Sequence, residues 1–190
     1  MMPKHTLIAL VEDKPGVLNR VASLFRRRGF NIESIAVGRT EVPYLSRMTV
    51  VVDGTEASVE QARKQLEKLI EIVKVMDITD EEIVSRELAL IKVRTTPSTR
   101  SEVIQIVDIF RANIVDVAAD SVTVEVTGDE DKIDSLFRLL KGFGIKEIAR
   151  TGRIAMTRGV AGPLLVEEEK LQKEARHAKG PKGPEVIPNM

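Results

Sequence analysis

The sequence predicts an α+β protein made of two successive βαββαβ units followed by a carboxy-terminal tail. Three observations carry this expectation. Of 190 residues, 55 are Ile, Leu or Val, and 40 of these are the β-branched Val and Ile, a composition suited to sheets with aliphatic packing. Apolar residues switch between strand-like runs and i, i+3, i+4, i+7 spacing in the order βαββαβ. That order then recurs, with Phe25 matched by Phe110 and Asn31-Ile32 matched by Asn113-Ile114.

In the first unit, residues 6–12 (TLIALVE) read as a strand that Asp13-Lys14-Pro15-Gly16 breaks. Leu18, Val21, Ala22 and Phe25 then mark one face of a helix. It stops at Gly29, just past Arg26-Arg27-Arg28, where a terminal glycine and last-turn cations belong. Residues 31–38 and 46–53 read as two strands joined by a polar loop that holds Pro43 and the only tyrosine, Tyr44. After Gly54-Thr55, a second helix is marked by Val59, Ala62, Leu66, Leu69 and Ile70, and residues 73–78 complete the unit.

The second unit repeats the pattern. Residues 88–94 form a strand, Thr95-Thr96-Pro97-Ser98 a break, and Val103, Ile106, Val107 and Phe110 a helical stripe. Residues 113–118 and 122–127 are strands with a short turn between them. Gly128-Asp129 opens a helix carrying Ile133, Leu136, Phe137 and Leu140, and residues 145–150 are the last strand. Each unit is expected to form a mostly antiparallel four-stranded sheet with two helices on one face, the ferredoxin-like plan. The domains are therefore 1–79, a charged linker 80–86, and 87–159. Beyond Gly159, half of the eight prolines fall in residues 160–190, which read as a partly disordered tail with a short helix over 164–178.

Composition removes whole classes of chemistry. There is no Cys, and His5 and His177 are the only imidazoles, so disulfides, thiolate nucleophiles, Cys-based metal sites and His-based triads are excluded. No catalytic residue and no metal site is expected in this chain. Glu56, Glu60, Glu67 and Glu71 recur at solvent-face spacing on a helix, and His5 reads as a surface or strand-start residue. Lys plus Arg equals Asp plus Glu at 29 each, leaving no net field to gather polyanions. The central strands carry no aromatic to stack a base, so no nucleic-acid partner is expected. No apolar run approaches the ~20 residues of a membrane span, and no signal peptide is evident, so a cytoplasmic protein is expected.

The strand-to-helix turns are informative. Pro15 suits a first helical turn, and Gly16 leaves the neighbouring backbone amides unshielded, an arrangement able to hold a carboxylate. Asp13 either receives an ammonium group or caps the helix. The second unit keeps the proline of this turn but lacks both the glycine and the acid, so a ligand site of this kind belongs to the first unit. Asn31 and Ile32 begin a strand expected at a sheet edge, where apolar residues invite pairing with another chain. A dimer closing there would bring Asn31 of one copy near the Gly16 turn of the other; otherwise Asn31 is a turn residue after Gly29-Phe30.

With Glu12-Asp13-Lys14-Pro15-Gly16-Val17-Leu18 and Arg28-Gly29-Phe30-Asn31-Ile32-Glu33-Ser34 in place, the chain resembles the small regulatory subunits of acetolactate synthase, also called acetohydroxyacid synthase. Leu45-Ser46-Arg47-Met48-Thr49, Ile114-Val115-Asp116-Val117 and Arg150-Thr151-Gly152-Arg153 extend the likeness, which covers about residues 5–159. The resemblance implies an amino-terminal ACT domain that binds effector and dimerises, followed by a second ferredoxin-like domain that contacts a large catalytic subunit. It implies a non-catalytic partner that raises the activity of that subunit and confers feedback inhibition, usually by valine, in branched-chain amino acid biosynthesis. It assigns the effector to Asp13, Gly16, Val17 and Leu18, with Asn31 and Ile32 from a second copy. Cofactors are implied only for the catalytic partner: thiamine diphosphate, Mg and FAD. Many relatives carry Asn where this chain has Asp13, which implies either a tighter grip on the ammonium or a different effector. The alternative reading is a free-standing ACT-type amino-acid sensor acting on another enzyme or on transcription.

Overall fold

The computed structural model describes residues 3–159; the sequence-expected tail at 160–190 lies outside the described residues. In the first unit, β1 (Lys4–Glu12), α1 (Val17–Arg27), β2 (Ile32–Arg39), β3 (Leu45–Asp53), α2 (Glu56–Leu66) and β4 (Ile72–Asp77) follow the expected order. The sheet runs β2-β3-β1-β4, antiparallel throughout. Leu7, Ala9, Val11, Met48, Val50 and Val52 share one face and form a single buried cluster with Val21, Leu24 and Phe25 of α1 and Val59, Ala62 and Leu66 of α2. Each of the larger aliphatic and aromatic side chains there contributes about 1.5–3 kcal/mol on burial. Phe25 is fully buried and meets Phe30 edge to face, with ring centroids 6.0 Å apart, which fixes the entry to β2.

The second unit comprises β5 (Ile83–Arg94), α3 (Arg100–Ile109), β6 (Asn113–Val117), β7 (Ser121–Gly128), α4 (Glu130–Lys141), β8 (Ile145–Arg150) and β9 (Ile154–Thr157). Its sheet runs β6-β7-β5-β8, the same strand order as the first unit. Ala89, Ile91, Val93, Val122, Val124 and Val126 pack against Val103 and Val107 of α3 and Ile133, Leu136 and Leu140 of α4.

Four features depart from the sequence expectations. The expected linker contains strand: Ile83 to Arg86 belong to β5 and pair with β9, a strand the sequence reading did not anticipate. This two-stranded ribbon lies on the open side of the first sheet, where Ala155 and Ile83 pack with Ile8, Met76 and Ile78. The second helix ends at Leu66, so Ile70 is off the helix and 89% exposed. Finally, His5 stands at a strand start but is buried, 8% exposed, with Nδ1 3.4 Å from Asp77 Oδ2, because it shares the helix-covered face with Leu7 and Val52.

Candidate functional site

The turn between β1 and α1 is built around Gly16, whose φ of +89° lies in the left-handed region that glycine adopts without steric cost. This backbone lets the chain enter α1 with no side chain over its first turn. No side chain caps α1, and its first turn holds no acidic residue. Two of the other helices carry side-chain caps. Thr55 accepts from Ser58 N at the start of α2, and Asp129 accepts from Lys132 N at the start of α4. Before α3, Thr99 Oγ1 accepts from Thr96 N at 2.9 Å while Thr96 Oγ1 accepts from Thr99 N at 3.2 Å. Thr99, the N-cap of α3, likewise makes no side-chain cap, so the α1 turn is set apart by its left-handed glycine, where an added Cβ would meet nothing within 4 Å.

Asp13 does not cap the helix. Its Oδ2 accepts from Arg39 Nε at 3.2 Å, and its backbone N donates to Tyr44 O at 2.7 Å, which ties the turn to the loop after β2. Lys14 pairs with Glu12 at 2.7 Å and Arg20 with Glu71 at 2.5 Å, so the rim carries charges of both signs. Val17 points into the core and can offer a ligand only its backbone, whereas the Leu18 side chain is 49% exposed. Arg39 is a rim residue that sequence reasoning missed; its signal was its place at the far end of the strand that follows α1.

Asn31 is exposed just before β2, and Ile32 packs partly against the first core. β2 is an edge strand, as the sequence predicts, with a register shift between Ile32 and Ser34 that leaves Glu33 bulged. One chain does not bring all the candidate residues together. Ile32 lies opposite Val52, which lies opposite His5 near the start of β1, while the Gly16 turn follows Glu12 at its end. At ~3.3 Å per residue, that is about 23 Å along the sheet. Arg39, at the opposite end of β2 from Ile32, is the β2 residue beside the turn.

Hydrogen bonds from Arg63 hold the Glu60 carboxyl at about 2, so it stays ionised at neutral pH. Among the described residues, no group of three or more His, Cys, Asp or Glu is placed to hold a metal, and no helix is long and apolar enough to cross a membrane.

Two ferredoxin-like units, the first with an unshielded turn and an open edge strand, define an ACT-domain protein. A family profile described as an acetohydroxyacid synthase small subunit-like ACT domain matches residues 7–74, and one described as the small subunit of acetolactate synthase matches residues 86–159. The probable acetolactate synthase small subunit of Archaeoglobus fulgidus is 60% identical over 156 residues, which span 82% of this chain and 98% of that protein. The acetolactate synthase small subunit of Mycobacterium bovis is 56% identical over 163 residues, spanning 85% and 97%. The crystal structure of the small subunit from Thermotoga maritima superposes with a TM-score of 0.77 at 44% identity, covering 84% of this chain and all of that one. The chain belongs to the acetolactate synthase small subunit family, and with it to branched-chain amino acid biosynthesis. A small subunit of this family associates with a larger catalytic subunit.

Proposed function

We propose that this chain is the non-catalytic, activating and feedback-sensing subunit of acetolactate synthase, and that valine binds between two copies of its ACT domain. The observation that carries this reading is the separation of Asn31 from the Gly16 turn along one sheet, combined with the edge position of β2 among the described strands. Two β2 strands related by a two-fold axis run antiparallel, so the Asn31 end of one meets the Arg39 end of the other, beside the Asp13–Arg39 pair. The site is complete only in the dimer. The valine carboxylate takes the backbone amides at Gly16 to Leu18, Val17 N giving up its 3.4 Å bond to Lys14 O, helped by ~0.3–1 kcal/mol from the helix dipole. Asp13 and Asn31 take the ammonium, with Asp13 exchanging its surface partner Arg39 for the ligand. Leu18 and Ile32 flank the isopropyl group.

Catalysis and its cofactors, thiamine diphosphate, Mg and FAD, reside in the large subunit, and the second ferredoxin-like unit makes contact with it. Feedback is then a coupling of ~1–3 kcal/mol between the dimer site and the catalytic subunit. Gly16→Asp sets a carboxylate against the ligand carboxylate and abolishes valine inhibition while leaving activation; a holoenzyme with that change and full valine sensitivity contradicts the site.

A further inference from the structure

The second unit touches the first at a place the effector reading does not use: the bulge of β2. Arg153 N donates to Ser34 Oγ at 2.9 Å. Gly152, with φ +82°, lies so close to β2 that an added Cβ would come within 2.8 Å of Ser34 Oγ and 3.1 Å of Ile35 O. Glu33, the residue bulged out between Ile32 and Ser34, accepts from Lys4 Nζ, which also donates to Glu130 at the start of α4. The Arg153 guanidinium in turn donates to Glu130 and to Thr6 Oγ1 on β1. Every charge in this cluster has its partner within the chain.

The contact is local. A cavity of about 350 Å³ separates the units around it, bounded by Ser34, Ile35 and Val51 on one side and Glu87, Thr151 and Gly152 on the other. β2 is thus held at its bulge and has free space beside it. Bulges re-aim neighbouring residues by changing local twist, and Ile32 and Ser34 flank this one.

We propose that Gly152 and Arg153 couple the two units, holding the β2 bulge at Ser34 so that a ligand at Asn31 and Ile32 is felt at α4 and β9 of the second unit. The inference rests on the effector reading above and adds its route of transmission. Ser34, Gly152 and Arg153 are positioning residues: they act through β2 and do not touch the ligand. Ser34→Ala removes the acceptor of the Arg153 amide with little change in volume, and Gly152→Ala forces the strands apart.

The test uses the full chain reconstituted with its catalytic subunit. Valine binding is measured by calorimetry on the small subunit, and acetolactate formation is measured against valine concentration. Ser34→Ala is expected to fold, to bind valine within about twofold of the unaltered chain, and to activate the catalytic subunit. Its residual activity at saturating valine should rise at least about fivefold, the lower range of allosteric couplings. Gly152→Ala should show the same or a larger loss of inhibition; if it does not fold, Ser34→Ala alone decides. Hydrogen exchange across residues 31–37 should speed up in both. If valine inhibition is as deep as in the unaltered chain, whatever happens to the melting temperature, the coupling is refuted. If the unaltered chain itself neither binds valine nor responds to it, the effector reading fails, and the coupling with it.

Discussion

Lys4 Nζ donates to Glu130 Oε1 at 2.8 Å, linking the first strand of one unit to the first helical residue of the other. The hydrogen bond from Lys4, followed by its charge and that of Arg153, holds the Glu130 carboxyl below its ordinary value of 4.5, and the same bond raises Lys4 above 10.5. A depressed carboxylate contributes stability that is present above pH 4.5 and lost as pH falls through its folded value. A raised lysine contributes stability that is present below pH 10.5 and lost only above it. The bridge is therefore intact across the neutral range and opens in acid. Lys4→Met should cost about 0.2–1 kcal/mol at pH 7, as partly exposed pairs do, and that difference should shrink below pH 4.5. Urea midpoints measured from pH 7 to 3 check this.

Gly16 should show an unusual split between stability and function. Nothing crowds an added Cβ, so Gly16→Ala meets only the left-handed backbone penalty of about 1–2 kcal/mol. Chemical denaturation measures that cost, and the protein should remain folded. Gly16→Asp carries a smaller backbone penalty, because Asp tolerates the left-handed region better than Ala, and removes the valine response as well.

Edge pairing predicts a change in mass. Val37 on β2 is 48% exposed, and a charge there blocks strand addition. Val37→Lys should shift the chain toward monomer in sedimentation velocity at micromolar concentration and lose valine binding. A Val37→Lys dimer that still binds valine contradicts pairing through β2.

Phe25 anchors the first core and the start of β2 together. Phe25→Ala should destabilise the chain by about 3–5 kcal/mol, read from thermal or chemical unfolding.

The helices and central strands were legible because periodicity and punctuation agree: Pro15 and Gly16 open α1, Gly29 ends the turn after it, and the second unit repeats the plan. The ribbon was not legible. Ile83 to Arg86 sit among Glu81, Glu82 and Glu87 and read as a charged linker, and their partners from Ile154 to Thr157 lie some seventy residues away. The apolar face that fixes them, Ile8 and Ile78, belongs to the other unit. Ile70 misled for a related reason: its spacing continues the stripe of α2, yet the helix stops at Leu66 so that the chain can enter β4. At the candidate site, the turn was legible from Pro15-Gly16. The inward direction of Val17 follows from where α1 begins, while the pairing of Asp13 with Arg39 and the distance from Asn31 depend on strand register, which local sequence does not encode.

The most direct test of the account is to mix the purified chain with its large subunit and measure acetolactate formation from pyruvate, with and without valine. The account predicts that the chain alone forms no acetolactate, that adding it raises the rate of the large subunit, and that valine then lowers that rate. An unchanged rate on adding the chain, together with no response to valine, would contradict it.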